Sequence, residues 1–216
     1  MAPIAGRPFL HYLLTALAQQ GCVDVVLCLG HRAEQIEAYF GSGDKLGVRL
    51  SYSVESEPLG TAGALKLAEP LLVANTYLVA NGDSFLRAGY APLFETLHDT
   101  RALAVLALHR THDAGRYGTV ERAQGGRITS FVEKNADHAG GSALINAGLY
   151  AMRRSVIEEI ASGPASLERD VMPTLAASGQ LYGLELAGSF IDIGVPDDYR
   201  RLERDWRALF GSEVAE

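Results

Sequence analysis

Short apolar runs separated by helix-like patterns most limit what this chain can become. The run "VDVVLCLG" (23–30) is apolar without a break and short, as a strand buried on both faces must be. "VRLSYSV" (48–54) alternates like a half-buried strand, "TYLVANGD" (76–83) is a buried strand ending in a polar turn, and "ALAVLALHR" (102–110) is a further strand. Between them, residues 31–40, 61–72 and 90–99 carry helical patterns, the second broken near Pro70. Ahead of them all, Leu10, Leu13, Leu14 and Leu17 share one helical face over 8–20. Pro8 suits the first turn of that helix and Gly21 its stop.

Strand and helix alternating at this spacing predict a parallel sheet with helices on both faces, of Rossmann-like, doubly wound type. The second half reads differently. Residues 117–122, 127–134 and 143–153 are strands close together, which predicts a small antiparallel insertion in the mostly parallel sheet. Helices are expected near 154–162 and 167–178, strands at 181–186 and 189–194, and a last helix from Pro196 to about Phe210. No linker, repeat or low-complexity tract divides the 216 residues, so a single α/β domain over 1–216 is expected.

Composition narrows the function. Apolar residues are 48% of the chain, ample for a packed core, and the net charge of −7 with no basic stripe argues against nucleic acid as a partner. No apolar run approaches the roughly 18 residues of a membrane span, so no membrane partner is expected. Cys22 and Cys28 form neither a CxxC nor a framework, which points to a reducing cytoplasm. His109 and His112 flank a strand end and read as a solvated loop pair rather than metal ligands. A homo-oligomer is left open.

Ligands of open parallel sheets sit beyond the carboxyl ends of the strands. Three polar segments fall there. After strand 48–54 come Glu55, Glu57 and Pro58, then the side-chain-poor turn Gly60-Thr61-Ala62-Gly63. Either that turn simply needs glycine, or its bare backbone lets a flat or anionic ligand approach the amides. Glu55, which as a carboxylate only accepts hydrogen bonds, suits the paired donors of guanine or the single N–H of uracil; the alternative is a solvated acidic loop. After strand 76–80 comes "NGDS" with Asp83, and Asp192 sits within "FIDIG". An acid in such places is costly unless paired or metal-bound, so the two could converge on one Mg²⁺ completed by substrate phosphates; each could also be a turn cap. Lys134 in "FVEKN", beside Glu133, is either half of a surface Lys–Glu pair or a local cation for a metal–phosphate site, and Asn146 and Gly148 interrupt a strand as a bulge or close approach would. "SLERDV" (166–171) reads as a helix start capped by Ser166, with no catalytic role, and Asp197 and Asp198 as helix-dipole partners.

In order, "EPLGTAGAL", "NGDS", "YGTV", "FVEKN", "NAGLY" and "IDIGVPDDY" closely resemble the sugar-1-phosphate nucleotidylyltransferases, nearly end to end. The likeness is greatest to the D-glycero-D-manno-heptose 1-phosphate and mannose-1-phosphate guanylyltransferases, while the short C-terminus is similar to N-acetylmuramate-1-phosphate uridylyltransferases. The resemblance implies the nucleotide-diphospho-sugar transferase fold, an NTP (GTP first) and a sugar 1-phosphate as substrates, and Mg²⁺. It implies Glu55 at the base, with Pro58, Gly60 and Thr61 shaping the nucleotide pocket. It implies Asp83 and Asp192 as metal ligands, and Gly118, Glu133, Lys134 and Asn146 on the sugar-phosphate side, Lys134 on the phosphate.

One departure stands out. "MAPIAGRPFLHYLL" matches what in the family follows a first strand and a Gly-rich loop of type GGxGTRL. The expectation is therefore a first strand absent, roughly twenty to thirty residues with the triphosphate-cradling loop. The written chain would then start at an internal methionine. Strands 23–29 and 76–80 would keep unpaired inner edges, unless the sheet has closed up. The rivals are a nucleotide-sugar-binding module without catalysis and, last, a glycosyltransferase, for which a DxD motif is missing.

Overall fold

The structure, a computed structural model, describes residues 1–112, 119–132 and 142–210. In chain order the elements are β1 (Pro3–Ile4), β2 (Arg7–Pro8), α1 (Phe9–Gln19), β3 (Asp24–Leu29), α2 (Ala33–Phe40), β4 (Arg49–Val54) and α3 (Gly60–Ala68). There follow β5 (Thr76–Ala80), β6 (Ser84–Arg87), α4 (Ala91–Asp99), β7 (Ala104–Thr111), β8 (Thr119–Arg122), β9 (Ile128–Val132) and β10 (Ala143–Arg153). The chain continues through α5 (Arg154–Glu159), a π-helical turn (Leu167–Val171), α6 (Met172–Ala177), β11 (Leu181–Glu185), β12 (Ser189–Asp192) and α7 (Pro196–Phe210).

The central sheet has six strands in the order β11-β7-β10-β8-β9, with β5 also on β10. β5 and β7 both run antiparallel to β10, and β11 runs parallel to β7. Three strands therefore share one direction, and β10 is the reversed strand set among them. The expected antiparallel insertion is β8, β9 and the first half of β10.

Side-chain alternation divides the core into two layers. Along β7, Val105 and Ala107 join α1, α4 and α7 on one face, while Ala104, Leu106 and Leu108 join α3, α5 and α6 on the other. β10 does the same, with Ala147, Leu149 and Ala151 on the first face and Tyr150 and Met152 on the second. Helices thus cover both faces, as the alternating sequence predicts.

The parallel half is not one continuous sheet, as the expected absence of a first strand implies. β3 and β4 pair in parallel as a separate ribbon. Among the described residues β3 pairs only with β4 and β5 only with β10, so both expected free edges are present and the sheet has not closed between them. One departure is β6. The sequence reading has no strand at 84–87, yet this segment pairs antiparallel with β12, Asp192 opposite Ser84. His109 is also not solvated: it is half-buried at the end of β7, its ring 5.5 Å from Phe190, and burial pushes its imidazole below the ordinary range, with the Glu185 charge opposing.

Candidate active site

The β6–β12 ribbon brings two acids from distant parts of the chain together. Asp83 precedes β6 and Asp192 ends β12, and the Ile193 N–H donates to the Asp83 carbonyl at 2.8 Å. Both carboxylates turn toward Gly194. A methyl group placed there would lie 3.0 Å from Asp192 Oδ1 and 3.6 Å from Asp83 Oδ2. A side chain at 194 would crowd Asp192 Oδ1, to which the Gly194 N–H donates at 2.8 Å. The Ser84 hydroxyl donates to Asp83 Oδ1 at 3.3 Å. Two hard oxygen donors around a gap suit a divalent cation that takes its remaining ligands from phosphate and water, as Mg²⁺ does. No cluster of three or more acid, histidine or cysteine ligands occurs among the described residues.

The bulge in β10 adjoins this pair. The Asn81 N–H, just past β5, donates to the Gly148 carbonyl at 2.8 Å. Gly148 has a φ of +68°, and a methyl on it would meet the Asn81 side chain at 2.8 Å. The register of β10 against β7 shifts between Asn146 and Tyr150, as the interrupted strand pattern predicts. Asn146 Oδ1 accepts from the Gly148 N–H at 3.0 Å and its amide N–H donates to the Tyr150 hydroxyl at 2.7 Å. That phenol is fully buried, and burial first, then the charge of Glu168, raises it far above the ordinary tyrosine range.

Glu55 directly follows β4, where its N–H donates to the Leu29 carbonyl at 2.8 Å. One carboxylate oxygen accepts from the Leu59 N–H at 3.0 Å, and the other faces Gly30, where a methyl would stand 2.6 Å from it. Gly30 and Glu55 therefore share the carboxyl ends of the parallel β3–β4 pair. Pro58 is exposed in the loop before α3.

Of the two readings of the bare turn at Gly60–Gly63, the protein's own need for glycine has direct support. The backbone of residues 163–165 lies against it. A methyl on Gly60 would meet the Ala165 carbonyl oxygen at 2.6 Å, and one on Gly63 the Gly163 oxygen at 2.4 Å. The Ala62 and Gly63 N–H groups donate to the Ala165 carbonyl at 3.0 and 3.2 Å. Small residues are required there by the protein's own backbone, so those two amides are not offered to a ligand. The Thr61 hydroxyl is engaged too, accepting from the Leu167 N–H at 2.7 Å and donating to Glu168 at 2.9 Å.

Glu168 is the residue that sequence reasoning missed. Ser166 caps the π-helical turn as expected, accepting from the Arg169 N–H. Glu168, however, turns inward to Thr61, Ser166 and Tyr150. Nothing in the local sequence separates it from an ordinary first-turn acid, because its partners lie up to 107 residues away. Gly118, Glu133 and Lys134 lie outside the described residues.

A family model described as nucleotidyl transferase matches residues 1–208. The D-glycero-alpha-D-manno-heptose 1-phosphate guanylyltransferase of Aneurinibacillus thermoaerophilus is 37% identical over 206 residues, covering 95% of this chain and 87% of that enzyme. The mannose-1-phosphate guanylyltransferase of Mycobacterium tuberculosis is 36% identical over 208 residues; there the chain spans 57% of the relative's length. Among solved structures, HddC from Yersinia pseudotuberculosis in complex with GMP-PN superposes with a TM-score of 0.85 at 29% identity, covering 95% of this chain and 88% of that one.

Proposed function

The chain belongs to the nucleotidyl transferase family, and on that premise we propose that it transfers a guanylyl group from GTP to a sugar 1-phosphate of the heptose or mannose type. The products are the GDP-sugar and pyrophosphate. The observation that carries this reading is the meeting of Asp83 and Asp192 around Gly194 at the strand ends. The relatives' substrates supply the choice of GTP and of a heptose or mannose phosphate.

In this reading an oxygen of the sugar phosphate attacks the α-phosphorus of GTP. A new P–O bond forms and the bond from that phosphorus to the β-phosphate bridging oxygen breaks, so pyrophosphate leaves with the electron pair. The attacking oxygen is already ionised near neutral pH, so positioning and charge neutralisation do the work rather than a general base. Asp83 and Asp192 would hold Mg²⁺, which supplies positive charge to the phosphate oxygens. Lys134 would bind the sugar phosphate, with Gly118, Glu133 and Asn146 around the sugar. Glu55 would read the base edge, with Pro58, Gly60 and Thr61 forming the pocket beside it.

The test is a pyrophosphate-release assay crossing GTP, UTP, ATP and dTTP with mannose, heptose and N-acetylmuramate 1-phosphates. Titration calorimetry with GDP-mannose runs beside it. Release with GTP and a mannose- or heptose-type phosphate is expected. Release with UTP and N-acetylmuramate 1-phosphate instead would move the base and sugar assignment. Tight GDP-mannose binding without release from any pair would make the chain a binding module.

A further inference from the structure

Three hydrogen-bonded chains end on one carboxylate, and the direction of every bond in them is fixed. The Tyr150 hydroxyl accepts from Asn146, so its single hydrogen is left for Glu168 Oε1, 3.1 Å away. The Thr61 hydroxyl accepts from the Leu167 N–H, so its hydrogen goes to Glu168 Oε2 at 2.9 Å. Ser166 repeats this, accepting from the Arg169 N–H and donating to Glu168 Oε2 at 3.0 Å. An ionised carboxylate, which only accepts, is the side chain that satisfies all three hydroxyls at once. Bonds aligned in this way polarise one another.

The three donors sit on different parts of the molecule. Tyr150 belongs to β10 beside Asn146, Thr61 to the first turn of α3 beyond Glu55, and Ser166 caps the π-helical turn. We propose that Glu168 is a positioning residue that holds the Asn146 side and the Thr61 side of the candidate site in one arrangement, so that each side depends on the other. The proposal rests on the guanylyltransferase reading only for which substrate each side meets. Glu168 acts on Asn146 through Tyr150, which is fully buried and so reaches no substrate itself. The outward edge of Asn146 is thereby set: its oxygen is turned to Gly148 and one N–H to Tyr150. A glutamine at 168 cannot replace the carboxylate, because one of its two positions becomes a donor facing a donor.

Two measurements decide it. The first is a chemical-denaturation double-mutant cycle with Thr61→Val and Tyr150→Phe, which needs no activity. If Glu168 couples them, the double variant loses clearly less stability than the two single losses added. Additive losses overturn the proposal. The second is steady-state kinetics on variants whose melting shows a folded chain. Tyr150→Phe should raise KM for mannose 1-phosphate about tenfold and, through Glu168, KM for GTP by a smaller factor of about threefold, and Glu168→Gln should raise both. A Tyr150→Phe enzyme with both KM values unchanged, or with only that for mannose 1-phosphate raised, contradicts it. If Tyr150→Phe fails to fold, Glu168→Gln carries the kinetic test, and unchanged KM values in that variant contradict the proposal. A wild-type chain that releases no pyrophosphate defeats the guanylyltransferase reading, while the denaturation cycle still decides the coupling.

Discussion

Gly194 and Gly63 look alike in the sequence, each a small residue next to a strand end or helix start in a polar stretch. In the structure they do opposite things. The space beside Gly194 is bordered by two carboxylates, Asp192 closely and Asp83 at contact distance. The space beside Gly63 is filled by the backbone at Gly163, and the neighbouring amides are spent on Ala165. A missing side chain therefore signals a close approach, without saying what approaches. Only the groups facing the gap distinguish a binding site from a tight packing contact.

The largest effect expected from that contrast is on the acids. Asp83→Asn should lower turnover by about 10³-fold or more at limiting Mg²⁺ while leaving denaturation nearly unchanged, because it removes charge where charge is used. Near-normal rates would make the two places equivalent and break the comparison. Gly63→Ala should do the reverse. Its methyl would meet a backbone oxygen at 2.4 Å, so unfolding free energy should fall by about 1–3 kcal/mol, read by urea denaturation. Gly194→Ala sharpens the comparison further. Its methyl would press on Asp192 Oδ1 at 3.0 Å, and the Mg²⁺ requirement should rise by about tenfold with little change in stability. An equal stability loss in both glycine variants would dissolve the distinction.

The smallest effect comes from a place outside both sites and serves as a control. His109 has its imidazole pushed down by burial, so the unfolded chain takes up that proton first as pH falls. Its contribution to stability is whole above 6.5, the ordinary value, and is lost as pH drops from there toward the lower folded value. Denaturation midpoints of the wild type and His109→Phe should converge below that range relative to their difference at neutral pH. Parallel profiles would remove the histidine from the account.

Much of this was legible in the sequence, for physical reasons that also mark where reading stops. Apolar runs between amphipathic segments yield strands with helices on both faces, and β7 and β10 alternate between the layers as that pattern requires. Asp83 and Asp192 could be picked out because an acid at the end of an apolar strand is costly without a partner. The pairing that joins them was not visible, since the β6 segment Ser84–Arg87 is too short to show an alternation of its own. Glu168 was hidden because an acid in a first helical turn is ordinary by itself, and only long-range contacts turn it inward. The similar runs in β3 and β7 also end differently. Ala104–Leu108 of β7, paired on both sides, are completely buried, whereas Val25–Leu27 of β3, paired on one side only among the described residues, stay half-exposed. Burial follows from the neighbour, which a local run does not contain.

The central claim is that two distant aspartates serve one cation beside the phosphates. Its most direct test is electron paramagnetic resonance titration of Mn²⁺, as a Mg²⁺ substitute, into the chain with GTP, comparing wild type with Asp83→Asn and Asp192→Asn. The account predicts that a protein-dependent site present in wild type is lost or greatly weakened in both variants. Mn²⁺ binding that survives unchanged in either one would contradict it.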